Sequence, residues 1–171
     1  MSILSKALDL TYKVIPSEKA YAHCDVPCGI YDPHLAQVAA LTTMRMIQLI
    51  EAAEQPGADS SASQRSAYVA QISRYVATKE HHAELCKQEI RILWADYFRP
   101  EHVEKYPDLH NIVFSALKTG SKVRQTNDSE APQDLLNAVN QIATIFWATK
   151  DVETSVKPSR QAVGGELVLP S

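Results

Sequence analysis

Residues 60–100 read SSASQRSAYVAQISRYVATKEHHAELCKQEIRILWADYFRP. Val69, Ile72, Val76, Ala83, Cys86, Ile90, Leu93 and Tyr97 recur along this stretch at helical spacing, tracing one long apolar stripe. Ser60, Ser61 and Ser63 offer capping hydroxyls at its start, and Pro100 stops it just beyond Phe98. A long helix with a single apolar stripe has to bury that stripe against other elements.

The flanking sequence supplies those elements. Asp32-Pro33 is a helix start, a capping side chain followed by proline at the first helical position. Leu35, Val38, Thr42, Met46 or Ile47, and Leu49 follow at three-to-four spacing, and Pro56-Gly57 marks the end. A third helix is predicted from about Pro107 to Thr119, with Ile112, Val113, Ala116 and Leu117 inward and Gly120 as its stop. A polar loop leads to a fourth helix that starts near Pro132 and carries Leu135, Val139, Ile142, Phe146 and Thr149 on one face. No run alternates with period two for long, so the predicted fold is all-α, an antiparallel four-helix bundle. Residues 151–171 have no stable period, and Lys157-Pro158-Ser159 with Gly164-Gly165 predicts a flexible C-terminal tail. At the other end, Lys6, Asp9, Lys13, Glu18 and Lys19 break residues 1–22 too often for a secretory core or a membrane span, although Ala20-Tyr21-Ala22 imitates a cleavage site.

Composition narrows the function. The chain has 171 residues, 45% apolar and 22% charged, enough for one domain with a real core. A net charge of -3 provides no basic excess for nucleic acid. The five glycines make neither G-x-G-x-x-G nor a Walker A loop. No glutamate is followed three residues later by histidine, so the helix-borne di-iron pattern is absent, as are H-E-x-x-H and C-x-x-C. His81 and His82 are adjacent, which sets them about 100° apart on a helix, and His81 with Glu84 reads as a solvated polar face. Three cysteines are too few and too clustered for a disulfide scaffold, and Cys86 on the apolar stripe reads as a structural thiol.

Cys24 and Cys28 remain, within His23-Cys24-Asp25-Val26-Pro27-Cys28-Gly29-Ile30-Tyr31-Asp32-Pro33. Spacing alone leaves three readings open: a chance pair of thiols, a redox-active disulfide, or a metal site. Pro27 and Gly29 together favour a tight turn that would bring both sulfurs to one centre.

HCDVPCGIYDP resembles the N-terminal hook of the nickel-containing superoxide dismutases. Leu93 to Pro100 (LWADYFRP), Tyr106 to His110 (YPDLH) and Ile145 to Lys150 (IFWATK) also resemble that family, in the same order, so the likeness spans about Ala22 to Lys150. It implies a cleaved leader, residues 1–22, followed by the nickel hook and four-helix bundle over residues 23–150. Removal of the leader would make His23 the first residue. The implied ligands of one nickel ion per subunit are the His23 amine and imidazole, the Cys24 amide nitrogen and thiolate, and the Cys28 thiolate. Two nitrogens and two sulfurs in a plane suit Ni(II), with the imidazole as an axial ligand to Ni(III). Anionic thiolate and amide donors lower the metal potential into the range where it can cycle with superoxide. The implied reaction is disproportionation of superoxide to dioxygen and hydrogen peroxide by Ni(II)/Ni(III) cycling. Tyr31 would gate the open face of the metal, Asp25 and Tyr97 would shape the pocket, and Pro27 would fix the turn. A leader-processing protease, a homohexamer and a cytoplasmic location are further implications, with no nucleic acid or membrane as partner. In many members a glutamate and an arginine hold the axial imidazole; those places fall at Ala39 and His82 here. The alternative reading is a non-catalytic nickel- or copper-binding storage module, and a third is a helical interaction protein with incidental cysteines.

Overall fold

The computed structural model describes residues 29–171. Its elements in chain order are α1 (His34–Glu51), α2 (Ala62–Ile92), a π-helical turn (Leu93–Tyr97), α3 (Pro100–Lys105), α4 (Leu109–Gln125), α5 (Ala131–Ala148), β1 (Thr154–Pro158) and β2 (Glu166–Pro170). The described body is therefore mainly helical, with one small sheet. α2 packs against α1 and α4, and α5 packs against the same two helices. Phe146, Ile90, Leu109, Leu135, Leu136, Ile142, Val123 and Val139 fill the space between them, all essentially without solvent contact.

The ends of the helices follow local chemistry. The Asp32 carboxylate accepts from the His34 amide at 2.7 Å, which satisfies one of the free donors at the start of α1. Ser61 caps α2 reciprocally: its hydroxyl accepts from the Gln64 amide at 3.2 Å, and the Ser61 amide donates to the Gln64 side chain at 2.8 Å. α1 stops at Glu51, ahead of the expected Pro56-Gly57. Pro56 disfavours the helical conformation at the residue before it, and the last turn already closes with Ala52 donating to the Gln48 carbonyl and Ala53 to that of Ile50.

Three expectations are corrected. The buried face of α1 is Ala36, Gln37, Ala39, Ala40, Leu41, Thr43 and Ile47, while Leu35 and Val38 are 59% and 43% exposed. Small residues let α1 lie close to its neighbours, and the buried polar Gln37 is fully engaged, so close packing overrides the larger apolar side chains. Gly120 does not stop a helix, since α4 runs on to Gln125. Gly120 is buried where α2 and α4 approach, and a Cβ there would sit 2.7 Å from the Lys87 side chain. Finally, residues 151–171 do not run free of the body. β1 and β2 pair antiparallel, with Val156 opposite Val168, and Leu167 and Val168 are buried.

The hairpin is held by side chains far away in sequence. The Gln37 amide group donates to the Val168 carbonyl at 2.9 Å and to the Asn140 side-chain oxygen at 2.8 Å. Asn140 donates to the Glu166 carbonyl at 2.8 Å and accepts from the Val168 amide at 3.2 Å. These two amides replace a third strand along the inner edge of β2. Gln37→Ala leaves the Val168 carbonyl and Asn140 short of a buried partner, and the expected cost is roughly 1–3 kcal/mol. A lower urea midpoint with an unchanged slope is the expected readout.

Lys79 on α2 is 2% exposed. Its ammonium donates to the Thr126 carbonyl and, at 2.9 Å, to the Asn127 side chain, placing a cation at the C-terminal end of α4 where the helix dipole favours it. Burial lowers its pKa, against the opposing influence of Glu80. On the surface, Glu84 pairs with Arg91 of its own helix at 2.7 Å and ties α2 to α4 through Arg124 at 3.1 Å.

Candidate metal centre

Four of the residues singled out in the sequence, His23, Cys24, Asp25 and Cys28, lie outside the described residues, as does Pro27. The description begins one residue after Cys28, at Gly29, whose φ of +86° is a left-handed conformation that side-chain-bearing residues rarely adopt. The backbone therefore takes a left-handed conformation at the first described residue. Asp32 and Pro33 then start α1, and Tyr31 is left half-buried between turn and helix.

The π-helical turn delivers the second tyrosine. The Phe98 amide donates to the Leu93 carbonyl at 2.9 Å, so one extra residue is accommodated and the side chains after Leu93 are re-aimed. Tyr97 is thereby brought to Tyr31, with ring centroids 5.6 Å apart and planes tilted by 55°. The Thr149 hydroxyl donates to the Phe146 carbonyl at 2.6 Å, which uses its one proton. The Tyr97 hydroxyl, 2.6 Å from the same oxygen, is therefore the donor to Thr149. Phe146 lies 4.5 Å from the Tyr97 ring, and His102 stacks on it at 5.7 Å. The structure thus joins Tyr31 and Tyr97, residues 66 apart in sequence, in one aromatic cluster just ahead of α1. Thr149 belongs to it as expected of the inner face of the last helix. His102 was not singled out, because nothing in its spacing ties it to Tyr97.

The described body offers no rival metal site. No group of three or more His, Cys, Asp or Glu residues among the described residues is arranged to hold a metal ion. Cys86 is fully buried, and burial, with a smaller contribution from Glu89, pushes its thiol up to about 12. It stays protonated at neutral pH, whereas a metal binds the thiolate. The thiols left for a soft metal are Cys24 and Cys28, beside the imidazole and backbone nitrogens of His23 and Cys24, a nitrogen-and-sulfur donor set that fits nickel. Ala39 is buried on α1. The Nδ1 of His82 on α2 is buried without a hydrogen-bond partner among the described residues. Burial and then the neighbouring His81 hold the His82 pKa below its ordinary value. No helix among the described residues is long and apolar enough to cross a membrane.

Beside this mainly helical body, the sequence carries two cysteines, Cys24 and Cys28, ahead of the first described helix, and the buried Cys86 within it. The nickel-containing superoxide dismutase family matches residues 18–150. The Superoxide dismutase [Ni] of Streptomyces coelicolor is 36% identical over 135 residues, 79% of this chain and 93% of the relative. That of Streptomyces seoulensis is 40% identical over the same extent. A native nickel superoxide dismutase crystal structure is 36% identical and superposes with a TM-score of 0.64, covering 75% of this chain and 99% of that one. An apo structure of a nickel superoxide dismutase, 33% identical, superposes with a TM-score of 0.62 over 72% of this chain and 99% of that one. The chain belongs to the nickel-containing superoxide dismutase family. The β1–β2 hairpin lies beyond the matched residues.

Proposed function

We propose that this chain is an oxidoreductase that disproportionates superoxide: two superoxide anions and two protons become dioxygen and hydrogen peroxide, with nickel as its cofactor. The observation that carries the reading is the donor set HCDVPC, which holds the two cysteines other than the buried Cys86, in a chain of this family. A non-catalytic storage module is not favoured.

The ligands would be the His23 amine and imidazole, the Cys24 amide nitrogen and thiolate, and the Cys28 thiolate. Nickel, when bound, supplies the one-electron couple that disproportionation needs. Both cysteines and the Cys24 amide must give up protons to serve as donors, so loading should weaken in acid. Gly29, the residue after Cys28, has a left-handed backbone, and Tyr31 two residues further on would stand at the approach to the metal. Tyr97 packs against Tyr31 and is itself held by Thr149 and Phe146, so the pair forms a rigid gate rather than two mobile phenols. Asp25 would shape the same pocket and Pro27 its turn. In this reading residues 1–22 are a leader removed by a processing protease. The mature chain is then an antiparallel four-helix bundle with an N-terminal hook, assembled as a cytoplasmic homohexamer. The exposed Leu35 and Val38 of α1 support subunit contacts of that kind.

The test is direct. Protein freed of its leader should contain one nickel per chain and accelerate superoxide decay. A chelator strong enough to strip the metal should abolish the rate, and added nickel should restore it. Nickel bound at that stoichiometry without acceleration would convert the reading to a storage module.

A further inference from the structure

Lys150 follows the last turn of α5 and is exposed, yet its ammonium is held in place. It lies 4.8 Å from the ring centroid of Phe146, 5.5 Å from that of Tyr97 and 5.9 Å from that of Trp147. None of the ion pairs among the described residues uses it. Lys122, by contrast, is matched by Asp128 at 2.6 Å. The distinction matters physically. A carboxylate partner would cancel the charge, whereas ring faces fix the position of a cation and leave its full charge facing solvent. One of the three rings, Tyr97, is the one that packs on Tyr31.

Superoxide is an anion, and the protein as a whole repels it. The net charge is -3 for the full sequence, and loss of Lys6, Lys13 and Lys19 with Asp9 and Glu18 takes it to -4. Capture of an anion by a negatively charged protein depends on positive potential concentrated at the site. We propose that Lys150, seated on the Phe146, Tyr97 and Trp147 rings, is the steering residue that draws superoxide to the Tyr31–Tyr97 gate. The proposal rests on the superoxide reading above. Lys150 is given no part in the electron transfer; it raises the local concentration of the anion.

The experiment compares wild type, Lys150→Gln, Lys150→Arg and Lys150→Glu as nickel-loaded protein, with the second-order rate constant for superoxide measured across ionic strength. Lys150→Gln should lower the low-salt rate constant by roughly three- to tenfold and flatten its dependence on salt. Lys150→Arg should restore both, and Lys150→Glu should reverse the sign of the salt dependence. A readout independent of turnover uses Trp147. Iodide should quench its fluorescence less in Lys150→Gln than in wild type, while neutral acrylamide quenches both equally; a packing defect would change both quenchers. An active wild type with Lys150→Gln unaltered in rate, salt dependence and iodide quenching overturns the proposal alone. A nickel-loaded wild type that does not dismutate superoxide overturns the enzymatic reading and this proposal with it, even if the iodide difference is present.

Discussion

A chain that begins at His23 is expected to dismutate superoxide, and the same chain with one alanine placed ahead of His23 is expected to lose that activity. The added residue changes no side chain and leaves the helical body untouched. It converts the α-amine of His23 into an amide, whose nitrogen has no free lone pair at neutral pH, so the proposed donor set loses one of its nitrogens. Loss of a supporting partner outside the ligand set typically costs about 10- to 100-fold in affinity or activity, so loss of a ligand should exceed about 100-fold. The cysteine variants bracket the result. Cys24→Ser and Cys28→Ser should each abolish stoichiometric nickel, because a serine hydroxyl is neither soft nor ionised at this pH. Cys86→Ala should keep one nickel per chain, since the Cys86 thiol is buried in the core and burial pushes it to about 12. Metal analysis and superoxide decay on the same preparations decide the matter. Full activity in the alanine-extended chain would remove the His23 amine from the site and, with it, the need for cleavage after Ala22.

The order of these experiments reflects what could be read from the residues. Ala83, Cys86 and Ile90 on α2, Leu93 at the start of the π-helical turn, and Leu135, Val139, Ile142 and Phe146 on α5 are buried as their periodicity predicts, whereas Val69 near the start of the α2 stripe is 60% exposed. Each of these stripes carries side chains large enough for the pattern to show. α1 defeated the same reasoning, because its contact face is built from Ala36, Ala39 and Ala40 around a buried glutamine. Gln37 makes sense only beside Asn140 and Val168, which lie 103 and 131 residues further on. The hairpin was missed for the same reason: its inner edge is completed by side chains of other elements, not by its own alternation. The hook motif was legible in the sequence, but His23 to Cys28 lie outside the described residues; the 5.6 Å approach of Tyr31 to Tyr97 was not legible there. Lys150 was legible only as the end of the IFWATK motif, because its setting requires rings delivered by both the π-helical turn and α5.

Phe146→Ala is expected to be the most damaging single substitution in the described body, and to damage the gate as well as the fold. Phe146 has no solvent exposure and sits 4.5 Å from the Tyr97 ring and 5.0 Å from that of Trp147. Truncating a buried phenylalanine typically costs about 3–5 kcal/mol through lost transfer energy and the cavity left behind. At this chain length that corresponds to a fall in melting temperature on the order of 10 °C. Phe146→Leu keeps most of the volume and should cost less than about 1.5 kcal/mol. The two variants separate packing from function. In Phe146→Ala the Tyr97 ring loses the surface beneath it, and Lys150 loses the nearest of its three rings, at 4.8 Å. The rate constant for superoxide should therefore fall at temperatures where the protein is still fully folded, and its salt dependence should weaken. In Phe146→Leu an apolar surface persists under Tyr97, so the rate should be largely kept, while Lys150 is left with two rings and part of its restraint. Calorimetry and the salt series on both variants give the comparison. Equal melting temperatures for the two would mean that Tyr97 and Trp147 collapse into the vacated space, and the rigid pairing of Tyr97 with Tyr31 would then have to be abandoned.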